Sequence, residues 1–392
     1  MQKRAFAAKQ RQLTPFRVMD FLDAAVRLEA AGRDLVRMEA GQPTFPLPAT
    51  VARAAHAALD GANLYTAALG QTALREAIAH LYDRRYGIAL NPARVIVTTG
   101  SSAALLMLCD LLLDPGDSML LPDPGYPCNA NFVRRCNAEV ITVPVSAEHN
   151  YQLRAEDIHN YWRTSTAGAI VASPSNPTGD VLSAADLLGL SDAVRARGGH
   201  LIVDEIYHGL NYTAEGDVSV LNICDDAFVI NSFSKYFGLP GWRLGWMVVP
   251  ESTIEPLETM AQNFFISPPN IAQQVALAAL APEAIAIYEA RRELFRERRD
   301  FLVPALRDLG FGIHRSPSGA FYIYADVSNL TDDSDSFCWR VLEEAGVAIT
   351  PGVDFGTNGA RTHVRLSYTE DMPRLEVAVE RLATFLRDCR EV

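Results

Sequence analysis

The chain has 392 residues, of which 49% are hydrophobic and 21% are charged, and its net charge is −12. This length allows two domains, or one large domain with an appendage, and the composition is typical of a soluble enzyme. The negative charge disfavours nucleic acids and anionic membrane surfaces as partners.

The sequence favours a reducing compartment and contains no sign of a membrane span. No uninterrupted apolar run is long enough to cross a bilayer. The first residues, Met-Gln-Lys-Arg-Ala-Phe, lack the apolar core of a signal peptide. The six cysteines are scattered and include no C-x-x-C pair, so neither a disulfide framework nor a zinc site is indicated. We therefore expect a cytoplasmic protein without a metal ion or a membrane partner.

The N-terminal part of the chain is predicted to be mostly helical, with a helical lead-in at 12–38 and helices at 49–59 and 72–85. Short apolar runs then alternate with helical stretches, notably at 101–113 and 183–197. This alternation indicates an α/β fold, in which helices cover both faces of a mostly parallel, seven-stranded sheet. The seven strand-like runs are 95–99, 118–121, 139–143, 169–172, 200–203, 227–231 and 244–249.

A second, smaller α+β domain is predicted in the C-terminal part of the chain. A charged helix at 284–309 leads into it, and strand-like segments at 321–327 and 361–367 flank a helix at 336–345. A closing helix begins near residue 374, and we expect the N-terminal segment to join this domain. The predicted division is an N-terminal segment at 1–45, a large domain at 46–285 and a small domain at 286–392.

Lysine is rare in this chain, which contains 35 Lys and Arg residues in total but only three lysines. Lys3 and Lys9 lie near the N-terminus, and Lys235 is alone in the rest of the chain. Unlike arginine, lysine has a primary amine that can lose its proton and form a Schiff base with a carbonyl. Lys235 is therefore a candidate nucleophile. The ordinary alternative is a lysine-poor composition with one solvated surface lysine.

Unusual polar motifs follow the predicted strands directly. In a mostly parallel sheet, ligands bind at the carboxyl ends of the strands, so we expect these motifs to converge. The motifs are Thr99-Gly-Ser-Ser102, Asp123-Pro-Gly-Tyr-Pro127, Ser175-Asn-Pro-Thr-Gly179, Asp204-Glu-Ile-Tyr207 and Ser232-Phe-Ser-Lys235.

A candidate phosphate site begins with Gly100, Ser101 and Ser102, which open a predicted helix after a strand. Backbone N–H groups at a helix N-terminus bind phosphate well. Ser232 and Arg243 belong to the motif that contains the lone lysine, and they could add a hydroxyl and a guanidinium to the same phosphate. Simple N-capping is the ordinary explanation of a serine at a helix start when that motif is taken alone.

Asp204 ends an apolar strand, where a carboxylate needs a partner because an unpaired buried charge is costly. It is a candidate partner for a cationic ring nitrogen, and a helix cap or structural ion pair is the alternative. Tyr207 and Asn176 are candidate hydrogen-bond donors to a phenolic oxygen, with a core tyrosine and a turn asparagine as alternatives. Tyr126 is a candidate to stack on a flat ring or simply to pack in its loop. Together with the phosphate site and the lysine, these residues describe a pocket for pyridoxal 5'-phosphate.

The chain resembles the class I/II pyridoxal-phosphate-dependent aminotransferases of fold type I. The resemblance runs from Gly41-Gln-Pro43 to Arg365-Leu-Ser-Tyr368. Its most specific parts are Asn176-Pro-Thr-Gly179, Asp204-Glu-Ile-Tyr207 and Ser232-Phe-Ser-Lys-Tyr-Phe-Gly-Leu-Pro-Gly-Trp-Arg243. The resemblance implies pyridoxal 5'-phosphate as the cofactor. It also implies that the enzyme moves an amino group between an L-amino acid and a 2-oxo acid.

The resemblance further implies roles for individual residues. Lys235 would bind the cofactor covalently and move the substrate proton, and Asp204 would pair with the ring nitrogen. Arg365 would bind the substrate α-carboxylate with help from the Gly41 backbone. Tyr65 resembles a tyrosine that reaches the phosphate of the neighbouring subunit, which implies a homodimer with shared sites. The remaining implied contacts are Tyr207 and Asn176 at the phenolic oxygen, Asn176 also beside the substrate, Tyr126 on the ring face, and Gly100, Ser101, Ser102, Ser232 and Arg243 at the phosphate.

The sequence identifies the amino donor less precisely than the cofactor. In dicarboxylate-specific relatives a second cation binds the side-chain carboxylate, either an arginine after the lysine motif or a lysine in the phosphate loop. Residues 251–290, which follow the lysine motif, contain no Lys or Arg, and Gln262 lies near the position of that arginine. Ser102 occupies the position of the lysine in the phosphate loop. We therefore expect a neutral or aromatic donor rather than aspartate, although Arg17 or another arginine could supply the charge. An aspartate aminotransferase and a pyridoxal-phosphate-dependent β-lyase on the same fold are the alternatives.

Overall fold

The computed structural model describes residues 8–61 and 64–389, so Lys3 and the outermost parts of the predicted terminal segments lie outside it. The described residues form twelve α-helices and twelve strands. The helices are α1 (Val18–Ala30), α2 (Ala49–Leu59), α3 (Thr72–Tyr86), α4 (Ser101–Leu112), α5 (Pro127–Arg135), α6 (Ala155–Tyr161), α7 (Ala184–Ala196), α8 (Ile254–Phe264), α9 (Asn270–Ala279), α10 (Pro282–Asp308), α11 (Ser334–Arg340) and α12 (Met372–Asp388). The strands are β1 (Val36–Arg37), β2 (Val95–Thr98), β3 (Ser118–Asp123), β4 (Glu139–Pro144), β5 (Thr166–Ala172), β6 (His200–Asp204), β7 (Phe228–Ser232), β8 (Gly245–Val248), β9 (Tyr322–Asp326), β10 (Val347–Ala348), β11 (Thr350–Pro351) and β12 (His363–Ser367).

The large sheet has seven strands in the order β2-β8-β7-β6-β5-β3-β4. Strand β8 runs antiparallel to its neighbours β2 and β7, and the other neighbouring strands are parallel. Each predicted strand-like run corresponds to one of these seven strands. The predicted α/β fold with a mostly parallel sheet is therefore confirmed.

The central strands of the large sheet are buried on both faces, which explains their nearly continuous apolar sequences. Consecutive side chains of a strand point to opposite faces. On β6 and β7, Val203 and Val229 accordingly belong to one hydrophobic cluster, and Ile202 and Ile230 belong to another. Burial of each such side chain stabilises the fold by about 1.5–3 kcal/mol. In β3 and β5 to β8, polar side chains are thereby confined to positions at or next to the strand ends.

The smaller α+β unit combines both ends of the described chain. Strands β11, β12 and β9 form an antiparallel sheet, and β1 pairs in parallel with β10. Since β1 lies in the N-terminal segment and β10 near the C-terminus, both ends contribute to one unit, as predicted. The domain limits at 45/46 and 285/286 stay a prediction, and the second of them falls within helix α10.

The predicted helical lead-in at 12–38 is wrong over part of its length. Helix α1 is confined to Val18–Ala30, and Val36–Arg37 forms β1. Val36 pairs with Val347, which is far away in the sequence. A helical spacing of apolar residues carries no information on a partner at that distance, so the sequence pattern missed this strand.

Among the described residues, no single helix has the length and apolar composition required to span a membrane. One pair, α9 and α10, meets both criteria only when the two helices are taken together across a 76° bend. Within residues 8–61 and 64–389, no group of three or more His, Cys, Asp and Glu side chains is arranged to hold a metal ion.

Candidate active site

Side chains from both sheets meet through direct contacts at the carboxyl edge of the large sheet. The amine of Lys235, three residues after β7, donates to the carbonyl of Gly41 at 2.8 Å. Gly41 lies against Tyr322, because a Cβ atom at Gly41 would be 1.7 Å from the Tyr322 hydroxyl. Tyr322 in turn contacts Tyr207, which follows β6, and Arg365 of β12. The lone lysine is thus linked to the predicted cofactor and substrate residues.

Lys235 is half-buried between aromatic rings. Its ammonium nitrogen lies 5.8 Å from the ring centroid of Tyr207 and 5.8 Å from that of Phe321. Its hydrogen bond is to a neutral carbonyl, and no carboxylate forms an ion pair with it in the described part of the chain. The amine is therefore held in a partly dry pocket without a fixed counter-ion, which suits a reactive lysine.

Asp204 is buried at the end of β6 and forms no ion pair among the described residues. Its Oδ1 accepts a hydrogen bond from the backbone N–H of Ile206 at 3.1 Å. Burial raises the pKa of the Asp204 carboxyl to about 7, with Glu205 adding to the rise, while the Ile206 N–H and Lys235 oppose it. A structural ion pair therefore does not explain this carboxylate, and a cation placed beside it would restore its charge.

Tyr207 is buried, and its hydroxyl lies 3.0 Å from the hydroxyl of Tyr322. Burial raises the pKa of Tyr207 well above its ordinary value, and Tyr322 raises it further, so the phenol keeps its proton. A phenol hydroxyl can both donate and accept, and the contact between the two hydroxyls uses only one O–H donor. The second remains available as a hydrogen-bond donor to a ligand.

The start of α4 and Arg243 form a compact set of donors for an anion. Gly100, with φ of +77°, precedes Ser101 at the first position of α4. A Cβ atom at Gly100 would lie 2.6 Å from Nη2 of Arg243, so only glycine allows the guanidinium this close. Arg243 has a left-handed backbone, with φ of +51°, and donates to the carbonyl of Pro240 at 2.9 Å. A helix N-terminus beside an arginine suits a phosphate group.

Two further serines of the predicted phosphate site differ in their surroundings. Ser102 is the second residue of α4 and is half-buried. The Ser232 hydroxyl is buried among protein partners: it lies 2.8 Å from the Ser234 hydroxyl and 3.1 Å from the carbonyl of Leu244. Ser234 was not predicted from the sequence, and it brings a second hydroxyl to the strand end that precedes the lysine.

Arg365 is buried, and none of its described hydrogen-bond partners is a carboxylate. Its Nη1 donates to Oδ1 of Asn176 at 2.9 Å, and its Nη2 donates to the carbonyl of Glu39 at 2.5 Å. Its Nε has no partner in the described part of the chain. A buried guanidinium that donates to neutral oxygens and has an unused donor is suited to a carboxylate ligand. Since Asn176 accepts through its oxygen, its amide N–H groups remain donors.

A cavity of about 520 Å³ lies beside Tyr126. Tyr126 precedes α5, and the ring of Phe16 meets it edge-on with 6.0 Å between centroids. Burial raises the pKa of Tyr126 well above its ordinary value, so its phenol is neutral. Asn176, Arg17 and Phe355 are among the other residues that line the cavity. Of the predicted site residues, Tyr126 and Asn176 line this cavity, whereas Lys235, Asp204 and Arg365 do not.

Tyr65 stands apart from the other predicted site residues. Its side chain is 81% exposed, and the neighbouring Leu64 is 78% exposed. The backbone next to it is fixed, because the N–H of Thr66 donates to Ser267 and the carbonyl of Leu64 accepts from Asn270. A large aromatic side chain held in solvent by an ordered backbone is suited to contact another molecule.

Comparisons with known proteins identify the family of this chain. A family model described as aminotransferase class I and II matches residues 33–382. A valine–pyruvate aminotransferase of Mycobacterium tuberculosis is 38% identical, over 95% of this chain and 96% of the relative. An aspartate/prephenate aminotransferase of Thermus thermophilus is 35% identical, over 92% and 94%. The crystal structure of an aminotransferase from M. tuberculosis superposes with a TM-score of 0.94 at 38% identity, covering 98% of this chain and 100% of that one.

The chain belongs to the class I and II aminotransferases. It is therefore an enzyme, and the fold type predicted from the resemblance is confirmed by its structural neighbours.

Sequence reasoning missed two aromatic residues of this aminotransferase that enclose Arg365. The Arg365 guanidinium carbon lies 4.4 Å from the ring centroid of Tyr322 and 4.7 Å from that of Phe355. Arg365 pairs with Tyr324 across β12 and β9, which places Tyr322 on the same face of that sheet. This register is the signal that could have identified Tyr322, but it exists only once the two strands are aligned.

Proposed function

We propose that this aminotransferase uses pyridoxal 5'-phosphate, bound covalently by Lys235. The observation that carries the proposal is the arrangement of charged groups around this amine. Asp204 is a buried carboxylate and Arg365 is a buried guanidinium, and neither forms an ion pair among the described residues. Unpaired buried charges are costly, so ligands of opposite charge are expected at both positions.

The residues present fit the cofactor group by group. The N-terminus of α4 with Gly100, Ser101 and Arg243 suits the phosphate. Asp204 suits the cationic ring nitrogen. The hydroxyl of Tyr207 and the amide N–H groups of Asn176 are suited to donate hydrogen bonds to the phenolic oxygen. The remaining proposed contacts are Ser102 and Ser232 at the phosphate and Tyr126 on the ring face. When bound, the cofactor would supply an electron-accepting ring conjugated to the reacting carbon.

The chain's own residues would then hold and move the reacting groups. Lys235 would hold the aldehyde carbon, and its amine, once free, would take the proton from the substrate Cα. Asp204 would keep the ring nitrogen protonated through its negative charge. Arg365 would bind the α-carboxylate through its unpaired Nε and orient the Cα–H bond, with the Gly41 backbone beside it. Because the bound substrate is already oriented, proton transfer from Cα to the amine needs no further loss of translational or rotational freedom.

We also propose that the amino donor is a neutral or aromatic amino acid. Residues 251–290 contain no Lys or Arg, and Ser102 occupies the phosphate-loop position. Arg17 lines the cavity, but its Nη1 lies 2.8 Å from Oδ1 of Asp335, so its charge is already paired. The similarity to a protein named valine–pyruvate aminotransferase supports a neutral donor.

Aspartate is the second candidate donor. Relatives named aspartate/prephenate aminotransferase or aspartate aminotransferase are 30–35% identical to this chain. Arg134 also lines the cavity, and its described contact is Asn131 at 3.4 Å. A substrate carboxylate that reached Arg134 would therefore meet a guanidinium without a carboxylate partner in the described chain.

We further propose a homodimer with shared sites. The exposed side chains of Leu64, Tyr65, Phe264 and Ile266 lie on adjoining segments, because the Thr66 N–H donates to Ser267 and residue 64 accepts from Asn270. Exposed apolar clusters of this kind mark interfaces between proteins. A second copy that covered this cluster would bring Tyr65 to the neighbouring site, where its hydroxyl suits the phosphate.

A reducing, cytoplasmic location is part of the same proposal. The six cysteines are unpaired, and four of them, Cys109, Cys136, Cys224 and Cys338, are buried. Unpaired buried thiols are typical of proteins from reducing compartments.

The test of the proposed function is a screen of amino donors with the cofactor-loaded protein. We expect transfer from valine and other neutral or aromatic amino acids, strictly dependent on a 2-oxo acid acceptor. Oxo-acid formation without an acceptor would instead assign a β-lyase, and a large preference for aspartate would assign the second candidate. A protein that neither binds pyridoxal 5'-phosphate nor transfers amino groups would contradict the proposal as a whole.

A further inference from the structure

Asp123 ends β3, and its carboxylate is held by one loop of the small unit, Phe355–Asn358, which we call the 355–358 loop. The backbone N–H of Thr357 donates to Oδ1 and Oδ2 at 3.0 and 3.1 Å, and its hydroxyl donates to Oδ2 at 2.8 Å. The N–H of Asn358 donates to Oδ1 at 3.3 Å. The side chain is 4% exposed, and no cation forms an ion pair with it in the described residues. The charge is therefore stabilised by these donors from a single loop.

The backbone around Asp123 holds the same loop from other directions. The N–H of Gly125 donates to the carbonyl of Phe355 at 2.9 Å. The side-chain amide of Asn358 donates to the Asp123 carbonyl at 3.3 Å and to the Val145 carbonyl at 3.0 Å. A Cβ atom at Gly356 would lie 1.8 Å from Oδ1 of Asp123, so the loop can approach this closely only with glycine there.

The 355–358 loop connects this carboxylate to the guanidinium proposed to bind substrate. The buried ring of Phe355 lies 4.7 Å from the guanidinium carbon of Arg365. On the large-sheet side, Asp123 is three residues before Tyr126, which lines the same cavity as Phe355. One carboxylate therefore links the strand end that carries Tyr126 to the loop that packs on Arg365.

We propose that Asp123 is a positioning residue for substrate binding. By fixing the 355–358 loop, it holds the Phe355 ring against Arg365, and so sets how well that guanidinium binds the carboxylate of either substrate. The inference rests on the proposed function of Arg365. It predicts an effect on the binding of amino acid and oxo acid alike, and none on the binding of the cofactor.

The test uses the cofactor-loaded enzyme with Asp123→Asn, which keeps the side-chain size but places an amide N–H group among the donors of the loop. We expect the KM values of both the amino donor and the oxo acid to rise roughly tenfold, with kcat and the dissociation constant of pyridoxal 5'-phosphate changed by less than about twofold. Thr357→Val removes one hydroxyl donor and should raise both KM values by about threefold. This second variant keeps the test valid if Asp123→Asn does not fold.

The matched control is Asp117→Asn, at the residue that immediately precedes the opposite end of β3. Its carboxylate accepts from the backbone N–H of Asp114 at 2.8 Å, away from the cavity. We expect no change in either KM. A readout that needs no cofactor is amide hydrogen exchange, which should speed up at Thr357 and Asn358 in Asp123→Asn apoprotein and stay unchanged in the control.

Three results would overturn the inference. The first is KM values in Asp123→Asn that stay within twofold of the unaltered enzyme. The second is a lower kcat and a weaker cofactor affinity together with the higher KM values, since that pattern would mean a general structural defect. The third is unchanged hydrogen exchange in the loop. If the unaltered protein itself transfers no amino groups, the proposed function fails, and this inference fails with it.

Discussion

The hydroxyl oxygens of Tyr207 and Tyr322 lie 3.0 Å apart, and this contact joins the two sheets of the protein. Tyr207 follows a strand of the large sheet, and Tyr322 is the first residue of β9 in the small sheet. The ring of Tyr322 also faces the guanidinium of Arg365. The hydroxyl pair thus couples the side of the site proposed for the cofactor to the side proposed for the substrate.

Tyr322→Phe should destabilise the apoprotein more than the cofactor-loaded protein. The change leaves the buried Tyr207 hydroxyl without its partner, which costs about 1–3 kcal/mol. In the loaded protein the proposed contact with the phenolic oxygen would satisfy that hydroxyl. Unfolding free energies of both forms, measured for Tyr322→Phe, Tyr207→Phe and the double variant, give the coupling between the two residues. Equal destabilisation of the apo and loaded forms would contradict the proposed role of Tyr207.

The pH dependence of stability should reveal the burial of Asp204. Its folded pKa is about 7, against about 3.9 in an unfolded chain. Between these values the folded apoprotein keeps a proton that the unfolded chain has lost, so this group's stabilising contribution falls as pH rises through the window. In Asp204→Asn the slope of unfolding free energy against pH should become less negative, by up to about 1.4 kcal/mol per pH unit.

Asp180 provides a matched comparison for this experiment, because burial raises its pKa to about 7 as well. Asp180→Asn should change the slope in the same direction but leave the affinity for pyridoxal 5'-phosphate unchanged. Asp204→Asn should change both quantities. An unaltered slope between pH 4 and 7 in Asp204→Asn would mean that its carboxyl is already ionised in the folded apoprotein.

The preference for an amino donor should change when the ion pair between Arg17 and Asp335 is removed. Asp335→Ala removes the carboxylate that lies 2.8 Å from Arg17 and leaves this guanidinium free at the cavity wall. We expect kcat/KM with aspartate to rise by about threefold to tenfold, and kcat/KM with valine to stay unchanged. Since partly exposed ion pairs contribute about 0–1 kcal/mol, the variant should keep its stability.

The control for this prediction is Glu344→Ala, which removes the partner of Arg340 in another exposed ion pair, outside the cavity. It should leave both donors unaffected. The explanation fails if Asp335→Ala and Glu344→Ala have the same donor profile.

Much of this architecture was predictable because it depends on local sequence. The seven strands of the large sheet are short apolar runs. Asp204 ends one of them, and Lys235 follows another by three residues. Tyr322 and Phe355 were not predictable in this way. Their place at the site depends on the pairing of β9 with β12 and on the contact of the 355–358 loop with Asp123, both of which join distant parts of the chain. The two-residue strand β1 escaped prediction for the same reason.

Shared sites should be detectable by mixing two inactive variants. Lys235→Ala lacks the proposed nucleophile, and Tyr65→Phe lacks the exposed hydroxyl proposed to reach the partner's phosphate. A mixed dimer would combine an intact Lys235 from one subunit with an intact Tyr65 from the other. Refolding the variants together in equal amounts should restore about a quarter of the unaltered activity, at a cofactor concentration that does not saturate Tyr65→Phe. Activity no higher than the sum of the separate variants would contradict the shared site.

The central claim is that Lys235 binds pyridoxal 5'-phosphate covalently, and the most direct test is chemical trapping. The loaded protein is reduced with borohydride, digested, and analysed by peptide mass spectrometry, with unreduced protein and Lys235→Ala as controls. We predict one pyridoxyl group per chain on the peptide that contains Lys235, and none in Lys235→Ala. Label on Lys9 or at the N-terminus with Lys235 unmodified, or no stable label at all, would contradict the account.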